Sequence, residues 1–223
     1  MQDIIEENRI NEIDKIQQPA ALRFIAYIVS VIFHPLFIPI YVTCFLLYWH
    51  PLIFAGFTPL DKIRLLASVA VNLTLLPAFT VFLLWRLKFA DNIYLRTQKE
   101  RIIPYAATMF FSFWCWNVFR NISYSPPLFV DFLLGTFIAV IVAWMANIYF
   151  KISMHSLAVG GIVCFTTIVA FSGEGSSGLY VAAALLLAGI VCTARLIVSD
   201  HKPFEIYAGL FLGGLSQWVA HVF

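Results

Sequence analysis

A chain of 223 residues with 61% hydrophobic and only 12% charged residues, a net charge of +2 and a mean hydropathy of +0.88 lies far from a soluble domain, in which about 25% of residues are charged. This composition excludes a soluble enzyme and a nucleic-acid-binding surface. The expected architecture is all-α, a polytopic transmembrane bundle of about six or seven spans of some 20 residues each, with no room for a second domain.

Residues 1–20 alternate isoleucines (Ile4, Ile5, Ile10, Ile13, Ile16) with charges, a pattern for a short amphipathic helix at the interface or a flexible tail. Their polar, acidic character argues against a cleavable signal peptide. From residue 21 onward the chain reads as one membrane domain. Leu22 to His50 is apolar but carries His34-Pro35 and Pro39, which predicts a kinked span whose freed carbonyls must find partners on neighbouring helices. His34 reads as a structural hydrogen-bonder at that kink or as a proton carrier.

A turn with Pro51, Gly56 and Pro59 leads to a span from Lys62 to Lys88, interrupted only by Asn72 and Pro77. A polar stretch, Asp91 to Arg101 (D-N-I-Y-L-R-T-Q-K-E-R), precedes a third span that opens at Pro104 and ends near Arg120. A hairpin at Asn121 to Pro127 returns the chain through a fourth span ending near Lys151, with Arg120 and Asp131 placed to pair across it. Lys151 to Ser156 joins the fourth and fifth spans, and a Gly/Ser-rich turn, Gly173 to Gly178, opens the sixth, which reaches Arg195. After Ser199-Asp200-His201-Lys202-Pro203 a last span carries Gly209 and Gly213, a GxxxG spacing that permits close helix contact and a homodimer. The four cysteines sit singly in apolar runs and read as core residues.

Two crossings separate the 91–104 segment from His155, and two more separate His155 from His201. All three polar segments therefore meet at one end of the bundle. Arg195, His201 and Glu205, spaced i, i+6 and i+10, are residue types that can bind an anion, attack it and orient the attacking ring. Charged groups at membrane depth cost roughly 2.5–3.5 kcal/mol on insertion scales, so an arginine there implies a purpose such as holding an anion.

The order of these segments resembles the type 2 phosphatidic acid phosphatase superfamily of membrane lipid phosphatases, with motifs K-x6-R-P, P-S-G-H and S-R-x5-H-x3-D. The third is matched by Ala194-Arg195, five residues, His201, three residues and Glu205; the second by Ile152-Ser153-Met154-His155; the first by Arg96, six residues and Ile103-Pro104. The likeness runs from about residue 88 to residue 215. It implies a metal-independent hydrolase with no cofactor, acting on a lipid phosphomonoester or diphosphate through a phosphohistidine on His201. Glu205 would fix the tautomer of His201, His155 would act as general acid and then base, and Arg195, Arg96 and Ser153 would hold the phosphate.

Three departures bear on this. Glu205 replaces an aspartate and shifts the carboxylate by one methylene; Met154 replaces a glycine; Ile103 removes a phosphate ligand. Lys99, four residues before Ile103, is the expected substitute if 96–104 is helical, whereas Arg101 would point elsewhere. Two alternatives use the same residues: a lipid phosphotransferase with an alcohol in place of water, and a catalytically degenerate phospholipid binder. The partners implied are a lipid phosphate and the bilayer, with no nucleic acid. A single first crossing and the Lys/Arg count place the site on the cytoplasmic side, whereas the resemblance implies the extracytoplasmic face of a bacterial inner membrane.

Overall fold

The computed structural model describes residues 18–50, 52–95, 97–172, 178–198 and 201–223, which form eight helices and, among the described residues, no strand. They are α1 (Ala20–Ile32), α2 (Ile38–Trp49), α3 (Pro59–Arg86), α4 (Ile102–Arg120), α5 (Pro127–Tyr149), α6 (Met154–Phe171), α7 (Gly178–Val198) and α8 (Pro203–Val222). The N-terminal amphipathic segment up to residue 17, Arg96 and most of the Gly173–Gly178 turn lie outside the described residues.

Five helices, α3 to α7, are long and apolar enough to cross a membrane, against the six or seven expected. The difference has two sources. The first apolar stretch is two short helices, and α8 is long enough but diluted by Glu205, Gln217 and His221. Outward faces carry large apolar side chains such as Phe110, Ile148, Leu186 and Phe211, all exposed, as a membrane protein requires.

Proline shapes two elements. Pro77 lacks the N–H that would bond residue 73, and α3 absorbs the loss in a π turn over Val71–Leu75, where Leu76 N–H reaches the Val71 carbonyl. Pro35 stops α1 altogether, and several carbonyls around the stop acquire new partners. His34 N–H donates to Val31, the Tyr41 hydroxyl donates to Ile32 at 2.9 Å, and Thr74 on α3 donates to Leu36. The Ser30 carbonyl is taken by a side chain of α6, described below.

The bundle is built around α6, half of whose spanning window is buried, the largest share of the five. Its closest neighbour is α8. A Cβ on Gly213 would overlap the Leu157 carbonyl, one on Gly160 would overlap the Leu210 carbonyl, and one on Gly209 would lie 2.8 Å from the Ser153 carbonyl. The GxxxG pair thus makes its close contact inside the chain. At the far end Asp131 bonds His221 at 2.9 Å, while the Arg120 guanidinium lies 5.0 Å over the Trp116 ring. The expected Arg120–Asp131 pair is replaced by these two contacts, because α8 returns its C-terminus beside α5.

Backbone cannot yield as a side-chain tip can. Gly213→Val is expected to cost more than the usual 1–3 kcal/mol or so of overpacking and to lower the thermal midpoint in detergent steeply. Gly214→Ala, whose Cβ would sit 3.5 Å from the Gly160 carbonyl, is expected to leave it nearly unchanged. Equal midpoints for the two variants would refute the close-packing account.

Candidate functional site

Close contact between α6 and α8 brings two helix N-termini together. The Ser153 N–H donates to the Glu205 carbonyl at 3.3 Å, joining the residue before α6 to the first turn of α8. The Glu205 side chain works at the same place. Its Oε2 accepts from Lys202 N–H at 3.1 Å, capping α8, and from His201 Nδ1 at 2.9 Å. A carboxylate only accepts, so Nδ1 carries the proton and the neutral ring presents Nε2 as a lone pair. The longer glutamate is accommodated because it folds back over its own N-cap. Burial holds the His201 ring below its ordinary value of 6.5; the Glu205 bond opposes this, and the Arg101 and Arg195 charges add to it.

The second histidine is placed by the break in α1. His155 Nε2 donates to the Ser30 carbonyl at 2.9 Å, the acceptor that Pro35 and the turn at His34 leave without a helical partner. This fixes the neutral tautomer of His155 with Nδ1 as its acceptor. His34 stands beside it, ring centroids 5.3 Å apart in an edge-to-face arrangement, and its own Nδ1 accepts from Leu36 N–H at 3.4 Å.

The polar 91–101 segment is a loop, and helix begins only at Ile102. Glu100 folds it, accepting from Asp91 N–H and Thr97 N–H, both at 3.0 Å. Gln98 and Asn147 exchange amide-to-carbonyl bonds at 2.7 and 3.0 Å, tying the loop to the end of α5. The helical spacing that favoured Lys99 therefore does not apply. Lys99 is exposed, and Arg101 turns inward instead, its Nε donating to the Leu95 carbonyl at 2.9 Å and its Nη1 to the Ile152 carbonyl at 3.3 Å. Leu95 has φ of +48°, a left-handed conformation costing about 1–2 kcal/mol, where its carbonyl receives the Arg101 bond.

One cavity of about 770 Å³, lined by residues of all eight helices, lies beside these residues. Arg101, Lys151, Arg195, His34, His155 and His201 line its polar end, and among the described residues no aspartate or glutamate does. Parity thus placed the segments correctly: His155, Arg195 and His201 reach the same space, and Glu205 supports His201 from behind. Ser153 does not reach it. It is fully buried as the N-cap of α6, its Oγ accepting from Ser156 N–H at 3.4 Å and from the Ser156 hydroxyl at 3.0 Å. Arg96 lies outside the described residues, and Ile103 is half-exposed on the outer face of α4.

Of the lining cations, Lys151 escaped the motif comparison, and Arg101 had been set aside in favour of Lys99. The signal for Lys151 was its place in the same junction as His155. For Arg101 it was its place in the same polar segment as the first motif, immediately before the helix that opens at Ile102. Set against protein-family models, curated proteins and solved structures, the chain matches none.

The environment of His201 has a signed consequence. In an NMR titration of imidazole-labelled protein, His201 is expected to protonate below 6.5. Glu205→Gln removes a contact that favours the imidazolium, so its midpoint should fall further. Arg101→Ala removes a repelling charge, so its midpoint should rise. Movement of either variant in the other direction would contradict the placement of these groups.

Proposed function

We propose that the protein is a lipid phosphatase that hydrolyses a phosphomonoester or diphosphate through a phosphohistidine on His201. The observation that carries this reading is a cavity holding three cations and no described carboxylate, open beside a histidine whose Nδ1–H is bonded to a carboxylate. Positive charge gathered at one end of a membrane-depth cavity favours an anionic guest, and the guest adjoins an oriented nitrogen lone pair.

In the first step His155 Nδ1, protonated by the entering phosphate monoanion, gives that proton to the leaving oxygen as His201 Nε2 attacks phosphorus and the P–O bond to the lipid breaks. In the second, water attacks the phosphohistidine while His155 Nδ1 takes the water's proton, releasing phosphate and restoring neutral His201. Positive charge growing on the His201 ring is met by Glu205. Charge on the non-bridging oxygens is met by Arg101, Lys151 and Arg195, with Arg101 pre-set by its two carbonyl bonds. The Arg101 and Lys151 placements supply cations where Ile103 does not, which favours catalysis over a degenerate binder. A lipid alcohol replacing water would give the phosphotransferase.

Access is proposed sideways from the bilayer. Tyr27 and Val31 of α1 and Tyr94 of the loop line the cavity and are also exposed outward, so the wall there is thin. The break in α1 removes the premise of a single first crossing, and an extracytoplasmic site in a bacterial inner membrane is proposed by resemblance to the phosphatase superfamily.

The test is phosphate release by purified protein with EDTA present, from phosphatidic acid, phosphatidylglycerophosphate and polyprenyl diphosphate. Wild type is expected to release phosphate, His201→Ala none, His155→Ala about 10²–10⁴-fold less, and Lys99→Ala as much as wild type. Release by His201→Ala, or none by folded wild type, would reject the phosphatase.

A further inference from the structure

We infer that the inner part of the cavity is a tunnel for the hydrocarbon tail of the bound lipid, closed by Gln217, so that the protein takes the tail inside the bundle and discriminates its length. The inference rests on the phosphate reading of the cavity's charged end only for the identity of the head group.

The cavity is asymmetric along its length. Its Arg and Lys residues, Arg101, Lys151 and Arg195, lie at the end where α4 and α6 begin and α7 ends. Deeper, the lining is apolar except for hydroxyls turned onto their own helices: Thr108 to Pro104 at 2.7 Å, Ser112 to Met109 at 3.1 Å and Thr136 to Phe132 at 2.9 Å. With their protons bonded to backbone, these residues offer a guest little but hydrocarbon. An apolar cavity of this kind takes an apolar guest in preference to water, and its volume of about 770 Å³ falls in the 300–1,000 Å³ or so of sites that enclose a ligand.

Gln217 ends this apolar space. It also lines the cavity, three helical turns along α8 from Glu205, or about 18 Å at 1.5 Å per residue, beyond the roughly 15 Å half-thickness of a bilayer core. An extended chain of about fourteen methylenes spans that depth. The Gln217 amide is buried at 4% exposure, with Nε2 donating to the Phe132 carbonyl at 3.3 Å. It is seated in the gap that Gly135 leaves on α5, where a Cβ would coincide with the amide, and against Gly161 on α6. Its Oε1 has no hydrogen-bond partner. The Gln217 side chain, wedged between α5 and α6, closes the space at this level, so further methylenes find no apolar place.

A tail drawn from a bilayer gains little from hydrocarbon alone, since it leaves hydrocarbon behind. Length discrimination comes instead from fit, with a void for short chains and overpacking for long ones, each worth about fivefold per methylene. The experiment uses the full chain in nanodiscs containing an equimolar mixture of lysophosphatidic acids with graded acyl lengths. Bound species are read by native mass spectrometry and phosphate release is read in parallel. Wild type is expected to show a peaked preference. Gln217→Ala, which removes the floor, should move the peak to longer chains; Ala158→Leu, which fills the lining about one turn nearer the head, should move it to shorter ones.

A flat profile, or peaks that coincide in all three proteins while phosphate is released, overturns the tunnel and leaves the phosphatase standing. Peaked and oppositely shifted binding without release upholds the tunnel and rejects the phosphatase. A variant that misfolds loses every chain length together, and the other variant then decides.

Discussion

The contact on which the site depends is between two backbones. Gly160, Gly209 and Gly213 let α6 and α8 approach until carbonyls of one helix occupy the space of absent side chains on the other. Only at that separation does Ser153 N–H reach the Glu205 carbonyl, and only then do His155 and His201, each near a helix N-terminus, open into the same cavity. In hydrocarbon no hydrophobic drive brings helices together, so van der Waals contact between small residues carries the association. Precision at the site is therefore inherited from packing along the full length of two helices.

A second constraint works through a defect. Non-helical backbone at membrane depth is tolerated where it borders a cavity and its polar groups are bonded, and the stop at His34-Pro35 meets both conditions. One of the carbonyls it frees is used to hold His155, so helix breaking and ring orientation are the same event. This couples α1 to α6 and explains why a histidine beside proline lies against a second histidine from 121 positions further along the chain.

Much of this was legible in the sequence. Composition fixed the all-helical membrane class, and counting crossings placed residues near 101, 155 and 201 at one end without any coordinate. His201 with Glu205 was readable because i, i+4 at a helix start leaves few geometries. What failed rested on local conformation. Lys99 was favoured by helical spacing in a stretch that Glu100 folds into a loop through its bonds to Asp91 and Thr97. Ser153 was assigned to phosphate by its motif position, but a serine before a helix is first an N-cap, and here that role uses its oxygen. The seat of Gln217 was invisible because it depends on which helix faces are adjacent, and spacing along one helix does not encode that. The GxxxG spacing was visible, though its partner helix was not.

Charge distribution links the site to the membrane more firmly than any single residue. The chain carries nearly equal numbers of basic and acidic residues, 14 and 12, yet the cavity gathers three cations and no described carboxylate. Five of the twelve acids lie within the first fourteen residues, and Glu205 stands behind His201. Separating charge in this way is costly in a low-dielectric bundle, and structural ion pairing would have mixed the signs. The cost is met in part by backbone carbonyls, as at Arg101. On the reading proposed above, a positive end joined to an apolar interior suits an anionic lipid, whereas a small soluble anion would leave most of the cavity unfilled.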